Sequence, residues 1–508
     1  MYNKYEAYED FKNHLRQWEE FLEKSTSLLS NADDDDIGEF TKKDRQLKIL
    51  TNILNGAVCN PKLLQDFIYP EGSRQKNIEA IKEKSWIQKN LDGAQKEAVM
   101  RALQTDTLCF IQGPPGTGKT TVITEICLQL LKINPLIRIL VCSETHVAVD
   151  NLIEKFYKLE QEGRVQNLNC IRAFSKGNTD NEALKKASIG YHIEEYINNL
   201  YHSCIGDEIP DELMQIFINS DIAVSKELML NADIVGVTCN SLAKINFNAD
   251  ESFDYVIFDE VCKATLPEIL IPLSNSKRAI LVGDPKQLPP VFLSEEQEIM
   301  DRIDACKLSE YMYIDNLFAR LKDDKKKFLE NQYRMTNEIG SIISKYFYES
   351  KLKNGRGVSI KDSIIWCDYT PSKQWGSDDG SPFNFDEIAI VKKILYEQNN
   401  RVKKAQVAVI SPYKGQNREL KNNIDKSEFK NLIIDIDTID SFQGKDADIV
   451  IFCVTRSVGS LRFFSNPRRL NVALSRAKNL CCIIGYSNFA TKNQTLKSIY
   501  NSIKHVNY

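Results

Sequence analysis

The apolar positions of this chain follow two patterns. From Tyr2 to about Ser30, Tyr8, Phe11, Leu15, Trp18 and Leu22 recur at three- and four-residue steps with charges between them. That spacing predicts an amphipathic helix laid along a larger body. Asp33-Asp34-Asp35-Asp36 reads as an exposed acidic linker or loop, and residues 41–88 continue as mixed helix with breaks at Pro61 and Pro70-Glu71-Gly72. Beyond residue 100 the pattern changes to short unbroken apolar runs: Thr107–Ile111, Ile137–Cys142, Asp233–Thr238, Phe253–Phe258 and Ala279–Gly283. Helical spacing separates them, as expected for the buried strands of a parallel sheet. Residues 155–230 lack strand character and read as a charged helical insertion with a break at Pro210. After Lys325-Lys326-Lys327 a second series begins, with strands expected at Ile364–Cys367, Val407–Ile410, Asp435–Ile439, Ile449–Val454 and Leu480–Ile484. The expectation is an α/β chain with a helical region over 1–90, a first α/β unit over 91–325 carrying the insertion, and a second over 326–508.

Composition narrows this picture. The 508 residues are 42% hydrophobic and 27% charged, as in ordinary soluble proteins of several domains. No run approaches the roughly 18 apolar residues of a membrane span, and the charged start, Lys4, Glu6, Glu9 and Asp10, does not resemble a secretory signal. An intracellular protein, cytoplasmic or nuclear, with no membrane contact is expected. The 13 cysteines include no C-x₂-C pair and there are five histidines, which excludes the usual zinc spacings and points to free thiols in a reducing compartment. With a net charge of −4, any polyanion must be held in a local groove.

The strongest chemical signal is Gly113-Pro114-Pro115-Gly116-Thr117-Gly118-Lys119-Thr120, a G-x-x-x-x-G-K-[ST] sequence between an expected strand and a helical run. Glycines at 113, 116 and 118 let backbone N–H groups turn inward, and the helix starting near Lys119 aims its positive dipole end at the same point. Lys119 is placed to reach β- and γ-phosphates, and the Thr120 hydroxyl to ligate Mg²⁺. The nucleotide-binding set expected here is Gly113, Pro114, Gly116, Thr117, Gly118, Lys119, Thr120 and Thr121, with ATP and Mg²⁺ as the groups bound. The strand ending at Phe258 runs into Asp259-Glu260. Such a pair divides labour, Asp259 holding the metal's water shell and Glu260 orienting and deprotonating an attacking water.

Other polar loops follow strand ends. Ser143-Glu144-Thr145-His146 closes the second strand, where α/β sheets bind ligands. Asp284-Pro285-Lys286-Gln287-Leu288-Pro289-Pro290 forms a stiff loop. The second unit has no phosphate cradle of its own, yet it carries Ser411–Gln416, Thr438–Asp446 and Arg468–Lys478. In the last, Leu470, Val472-Ala473-Leu474 and Ala477 read as a helix core, with Arg469 and Arg476 on its opposite face. Alone, Gln95 is an ordinary surface glutamine beside Asp92, an expected N-cap.

Taken together, GPPGTGKT (113–120), DEVCKATLPE (259–268), GDPKQLPP (283–290), QYRM (332–335), DSFQGKDADIV (440–450) and RRLNVALSRAK (468–478) resemble superfamily 1 helicases of the 5′-to-3′ branch, the Upf-type and senataxin-like group. The resemblance covers residues 91 to about 485. The sister branch would show DEFQD-like and QNYRS-like motifs, which this chain lacks. The resemblance implies two RecA-like domains closing on ATP, with single-stranded RNA or DNA crossing their top. It implies that Gln95 reads adenine, Tyr333 stacks on it, Gln287 senses the γ-phosphate, and Arg334 and Arg476 act as arginine fingers. Asp446, standing where the family usually has glutamate, joins the nucleotide set. For the strand it points to Thr145, His146, Thr238, Pro412, Tyr413 and Thr438.

Lys263 and His146 depart from the family, which usually has glutamine and asparagine there, and they bear on coupling and strand specificity. The leading reading is an ATP-dependent 5′-to-3′ helicase or translocase. The competing one is an ATP-gated clamp or complex subunit with ATPase but no unwinding. The N-terminal helix and the insertion at 155–230 are candidate sites for protein partners.

Overall fold

The computed structural model describes residues 4–29, 34–69, 81–82, 85–174, 181–204, 222–290, 318, 321, 326–372, 375–378, 380–442 and 444–508. The expected breaks at 70–72 and 210, the boundary at Lys325, and Gln443 lie outside these residues. The chain divides into two compact units.

The first unit is built on a seven-stranded sheet: β1 (Leu108–Gln112), β2 (Ile139–Ser143), β3 (Cys170–Arg172), β4 (Ile234–Thr238), β5 (Tyr255–Phe258), β6 (Ala279–Gly283) and β7 (Lys326–Phe328). Every pairing is parallel, in the order β3-β4-β2-β5-β6-β1-β7. The expected apolar runs fall on β1, β2, β4, β5 and β6. Parallel strands need crossovers, and α4 (Gly93–Gln104), α5 (Lys119–Ile133) and α6 (His146–Gln161) pack around this sheet. The register Gln112↔Gly283 and Phe258↔Leu281 brings the loops after β1, β5 and β6 out at one edge.

Helices α1 (Lys4–Leu29), α2 (Asp34–Leu54) and α3 (Pro61–Ile68) cover this unit. Phe11, Leu15, Trp18, Phe21 and Leu22 of α1 are buried in the same core as Phe110, Leu140 and Val256. Each such side chain contributes about 1.5–3 kcal/mol on burial, so the docked hairpin is part of the fold. Two expectations change. Asp34 and the acids after it open α2 rather than forming a linker, in keeping with negative charge at a helix N-terminus. Inside the segment read as wholly helical, Cys170–Arg172 forms β3, an edge strand too short to show alternation.

The second unit carries a six-stranded parallel sheet of β10 (Ile364–Asp368), β13 (Ala405–Ser411), β14 (Leu432–Thr438), β15 (Ala447–Cys453), β16 (Ala477–Ile484) and β17 (Lys504–Asn507), in the order β14-β13-β15-β16-β10-β17. Two small pairs, β8 (Asn331–Gln332) with β9 (Lys353–Asn354) and β11 (Trp375–Asp378) with β12 (Ser381–Asn384), are separate. Val407, Val409, Ile434, Ile436, Ile449 and Ile451 share one core with Ile388, Val391 and Ile394 of the helix Phe385–Arg401. Here Arg476 departs from expectation. The helix Pro467–Leu474 stops at Ser475, whose N–H donates to the Asn471 carbonyl, and β16 begins at Ala477. Arg476 therefore sits at a helix-to-strand junction and is 2% exposed, not on an open helical face.

Both units are thus the α/β parallel-sheet domains that a RecA-like pair requires. Among the described residues no helix is long and apolar enough to cross a membrane.

Candidate functional site

In the first unit, Lys119 opens α5 and Thr120 and Thr121 follow in its first turn. Glu125, buried one turn on, accepts from the Ile87 and Gln88 amides at 3.0 and 2.9 Å. Gln88 Nε2 donates to the Thr121 carbonyl at 2.6 Å, so the start of α5 is clamped from outside the motif. Lys119 Nζ lies 3.3 Å from Glu260 Oε1. Burial alone lowers the lysine's pKa, but Glu260, Asp259 and Asp284 outweigh it and hold the ammonium above its usual range. Burial, then the charge of Glu260, pushes the Asp259 carboxyl up, with Lys119 pulling the other way. Glu260 has φ 55° and ψ 37°, the left-handed region uncommon for a residue with a side chain, and its N–H donates to Asp259 Oδ1 at 2.9 Å. This arrangement can hold one ammonium and two carboxylates beside a helix N-terminus.

Gln95 is not an ordinary surface residue. It is 4% exposed, and it forms a capping box with Asp92: its N–H donates to Asp92 Oδ1 at 2.8 Å and its Oε1 accepts from the Asp92 N–H at 3.0 Å.

The strand-contact candidates of this unit lie at the ends of β2 and β4. Thr145 caps α6, its hydroxyl accepting from the Ala148 N–H at 3.4 Å. His146 Nδ1 is 2.8 Å from Nη2 of Arg172, a fully buried arginine on β3 that also donates to Asp150 Oδ1 at 2.7 Å. Arginine only donates, so Nδ1 accepts and the ring proton is left on Nε2. Thr238 is buried, its hydroxyl donating to Ser241 Oγ at 2.9 Å. Lys263 Nζ stands 3.6 Å from Glu144 Oε2, linking the segment after β5 to the one after β2.

Two short segments, Gly113–Gly118 and Lys286–Leu288, group with the second unit. The Tyr333 N–H donates to the Gly116 carbonyl at 2.8 Å. Gly116 has φ +75°, and a Cβ there would stand 2.6 Å from Arg334 Cβ, so only glycine fits. Thr117 is buried, its hydroxyl donating to the Pro114 carbonyl at 2.8 Å. Arg334 Nε meets Asp446 Oδ2 at 3.1 Å, and Lys478 Nζ meets the other oxygen at 2.5 Å. Burial alone would raise Asp446, but Arg334, Lys478 and Arg476 hold its carboxyl below the usual range. Arg476 donates to the Val472 carbonyl at 2.9 Å, the Lys445 carbonyl at 3.1 Å and Gln287 Oε1 at 3.4 Å.

The strand-end candidates here are Pro412 and Tyr413 after β13 and Thr438 at the end of β14. The Tyr413 hydroxyl accepts from Arg456 Nε at 3.2 Å, and its ring centroid is 5.6 Å from that of Phe463. Thr438 and Ser441 share a hydroxyl hydrogen bond at 3.1 Å.

Several contributors carry no local sequence signal. Arg356 donates to the carbonyls of Arg334 and Lys478 at 2.8 and 2.7 Å, tying the QYRM turn to the start of β16. The Tyr333 ring rests against Gly355, where a Cβ would come within 2.5 Å of Tyr333 Cε1. Arg172 belongs with them. Their contacts join residues distant in sequence, and only the folded geometry exposes them.

So Lys119, Asp259 and Glu260 come together in the first unit, and Gln287, Tyr333, Arg334, Asp446 and Arg476 with Gly113–Gly118 in the second. Two family models match successive stretches of the chain. One family model, described as an AAA domain, matches residues 90–217 and 211–295, and a second of the same description matches 313–488. The chain is 30% identical to the DNA polymerase alpha-associated DNA helicase A of Saccharomyces cerevisiae, over 79% of this chain and 66% of the relative. It is 30% identical to the ATP-dependent helicase NAM7 of the same organism, over 79% of this chain and 42% of the relative. An uncharacterized ATP-dependent helicase of Methanocaldococcus jannaschii is 26% identical, over 82% and 70%. The chain belongs to the Upf-type, senataxin-like superfamily 1 helicases. Two of these relatives are named ATP-dependent helicases. The chain spans between about two fifths and 70% of the three relatives named.

Proposed function

We propose that this helicase is a nucleic-acid-stimulated ATPase that moves 5′ to 3′ along single-stranded RNA or DNA and opens duplexes or strips bound protein as it goes. The observation that carries the reading is the pairing of Lys119 with Glu260 beside buried Asp259 at the start of α5. An ammonium and two carboxylates at a helix N-terminus suit a triphosphate with its metal and an activated water.

The residues fit Mg²⁺. Asp259 is a buried carboxyl next to a second carboxylate with one lysine between them, and Thr120 stands on the same helix turn as that lysine. Magnesium typically takes one or two carboxylates together with substrate phosphates, and Asp259 and Thr120 would hold it that way. Bound there, the ion would neutralise charge on the β- and γ-phosphates. Glu260 would orient the attacking water and accept its proton as the γ-phosphate is cleaved, while Lys119 leaves Glu260 for the phosphate oxygens. Gln287 would sense the γ-phosphate. Arg334 and Arg476 would stabilise the charge that develops there, a role worth about 10³–10⁵ in rate in related phosphoryl transfer. Tyr333 would stack on adenine and Gln95 would hydrogen-bond it.

Thr145, His146, Thr238, Pro412, Tyr413 and Thr438 all lie at or just after the C-terminal ends of parallel strands, which supports a path for a phosphodiester backbone gripped without reading sequence. One relative is named a DNA helicase, which keeps DNA beside RNA as the strand. A protein partner would meet the 155–230 segment rather than the apolar face of α1, which is spent in the core.

The test is ATPase rate with poly-RNA against single-stranded DNA, followed by displacement from 5′- and 3′-tailed duplexes. Stimulated hydrolysis with displacement of the 5′-tailed substrate is expected. Hydrolysis with no displacement on any 5′-tailed duplex would instead describe a clamp.

A further inference from the structure

The segment after β5 is one tight turn. Glu260 lies in the left-handed region, Val261–Lys263 forms a single turn of 3₁₀ helix, and the Lys263 N–H donates to the Glu260 carbonyl at 2.9 Å. The turn is pressed against the end of β6, where a Cβ on Gly283 would stand 2.8 Å from Val261 Cγ1 and 3.0 Å from Cys262 Sγ. Close packing transmits displacement, so Lys263 rides on the same stiff piece of backbone as Glu260. Glu260 in turn is paired with Lys119 at 3.3 Å, and any change in that pairing acts at the start of the turn.

From the other end of the turn, the Lys263 side chain reaches the segment after β2. Its Nζ stands 3.6 Å from Glu144 Oε2, a buried oxygen that accepts no hydrogen bond. An N–H···O bond needs about 3.2 Å or less, so a shift of roughly half an ångström makes or breaks this one. Burial, then the charge of Glu268, raises the Glu144 carboxyl above its usual range, and Lys263, ahead of Lys42, opposes them. Lys42 of α2 is matched to Glu268, 3.4 Å from its Oε1, which also accepts from Asn240 Nδ2 at 2.9 Å. Lys263 is thus the lysine that serves Glu144. The next residue along the chain, Thr145, caps α6, and His146 opens that helix.

We propose that Lys263 and Glu144 are positioning residues that carry the state of the nucleotide pocket to the strand-contact segment Thr145-His146, through one ion pair that tightens or opens as the Glu260 turn shifts. The inference rests on the proposed strand-translocating ATPase and adds two residues that this function does not otherwise use. The glutamine usual at position 263 in the family would offer Glu144 a neutral donor on a shorter stem, so the ion pair belongs to the lysine found here.

The experiment is fluorescence anisotropy of labelled oligo(dT) and oligo(U) with the full chain, with and without a non-hydrolysable ATP analogue. The quantity read is the coupling factor, the ratio of strand affinity with the analogue to strand affinity without it. Lys263→Met and Glu144→Gln are each expected to move that factor about two- to thirtyfold toward one, while strand and analogue bound singly change by less. The variant carrying both changes is expected to lose no more than either alone. A wild-type factor in Lys263→Met overturns the proposal, as do losses that add in the double variant. A loss that merely follows a fall in the thermal midpoint and in both single-ligand affinities also overturns it, and so does a wild-type factor of one. Wild type that binds neither strand contradicts the underlying strand-translocating function instead.

Discussion

Lys119 Nζ and Glu260 Oε1 are 3.3 Å apart, so the ammonium and the carboxylate neutralise each other. On the proposed function, a triphosphate would draw the lysine away and leave Glu260 to act on water. Glu260→Gln is therefore expected to bind ATP at least as well as wild type and to hydrolyse it about 10²–10⁴-fold more slowly. Equilibrium binding of a fluorescent ATP analogue beside a phosphate-release assay reads both quantities. Loss of binding together with turnover would remove Glu260 from the chemical step.

Tyr333 owes the position of its ring to Gly355, where even a methyl group would press on Cε1. Gly355→Ala should displace the ring. Base–aromatic stacking is worth about 1–3 kcal/mol, so ATP affinity should fall by roughly ten- to a hundredfold while inorganic tripolyphosphate binds as before. Calorimetry with the two ligands decides this, and an equal loss for both would mean that Gly355 supports the phosphate pocket rather than the base.

Arg172 is fully buried, and its guanidinium joins Asp150, the Ala173 carbonyl and His146. Arg172→Leu leaves Asp150, which is 27% exposed, without its partner and is expected to cost about 2–4 kcal/mol in chemical denaturation. Arg172→Leu/Asp150→Leu should recover a substantial part of that loss. A double variant as unstable as the sum of the two single changes would show that the pair is not coupled.

How much was legible in the sequence follows from the range of each contact. The buried strands β1, β2, β4, β5 and β6 were visible because a parallel strand covered on both faces writes an uninterrupted apolar run. The Lys119 and Asp259-Glu260 segments were visible because each role needs adjacent residues in a fixed local shape. Arg476 was misplaced because Ala477, an apolar residue at helical spacing, continues the helix pattern by one turn, whereas the backbone switches to β16 there. The three residues of β3 cannot display a period. The bond from Arg172 to His146 joins two segments 26 residues apart, and the rest of Gly355 against Tyr333 is equally non-local. The capping role of Gln95 needed only the local Asp92-x-x-Gln95 spacing and could have been read with the N-cap.

The second unit carries a titratable group that the proposed function does not use. Glu387 is buried, its oxygens accepting from the Thr455 N–H at 2.9 Å and the Tyr369 hydroxyl at 3.2 Å. Burial raises its carboxyl from 4.5 to about 8, against donors that favour the charged form. The unfolded chain ionises this group above about pH 4.5 and the folded chain only near pH 8. Its contribution to stability is thus present at low pH, is lost progressively as pH rises between these values, and is constant above them. The thermal midpoint of wild type should fall across that window relative to Glu387→Gln. Parallel profiles would mean that the Thr455 and Tyr369 donors cancel the effect of burial.

The central proposal is that this chain hydrolyses ATP and that Arg476 takes part in that step. Arg476 tests it most directly, because its hydrogen bonds to Val472, Lys445 and Gln287 leave its position set by the second unit. The measurement is the single-strand-stimulated ATPase rate of Arg476→Ala, with ATP-analogue binding and the thermal midpoint followed in the same samples. Turnover lower by about 10³-fold or more, with nucleotide binding and folding retained, is the predicted result. Turnover equal to wild type would contradict the account.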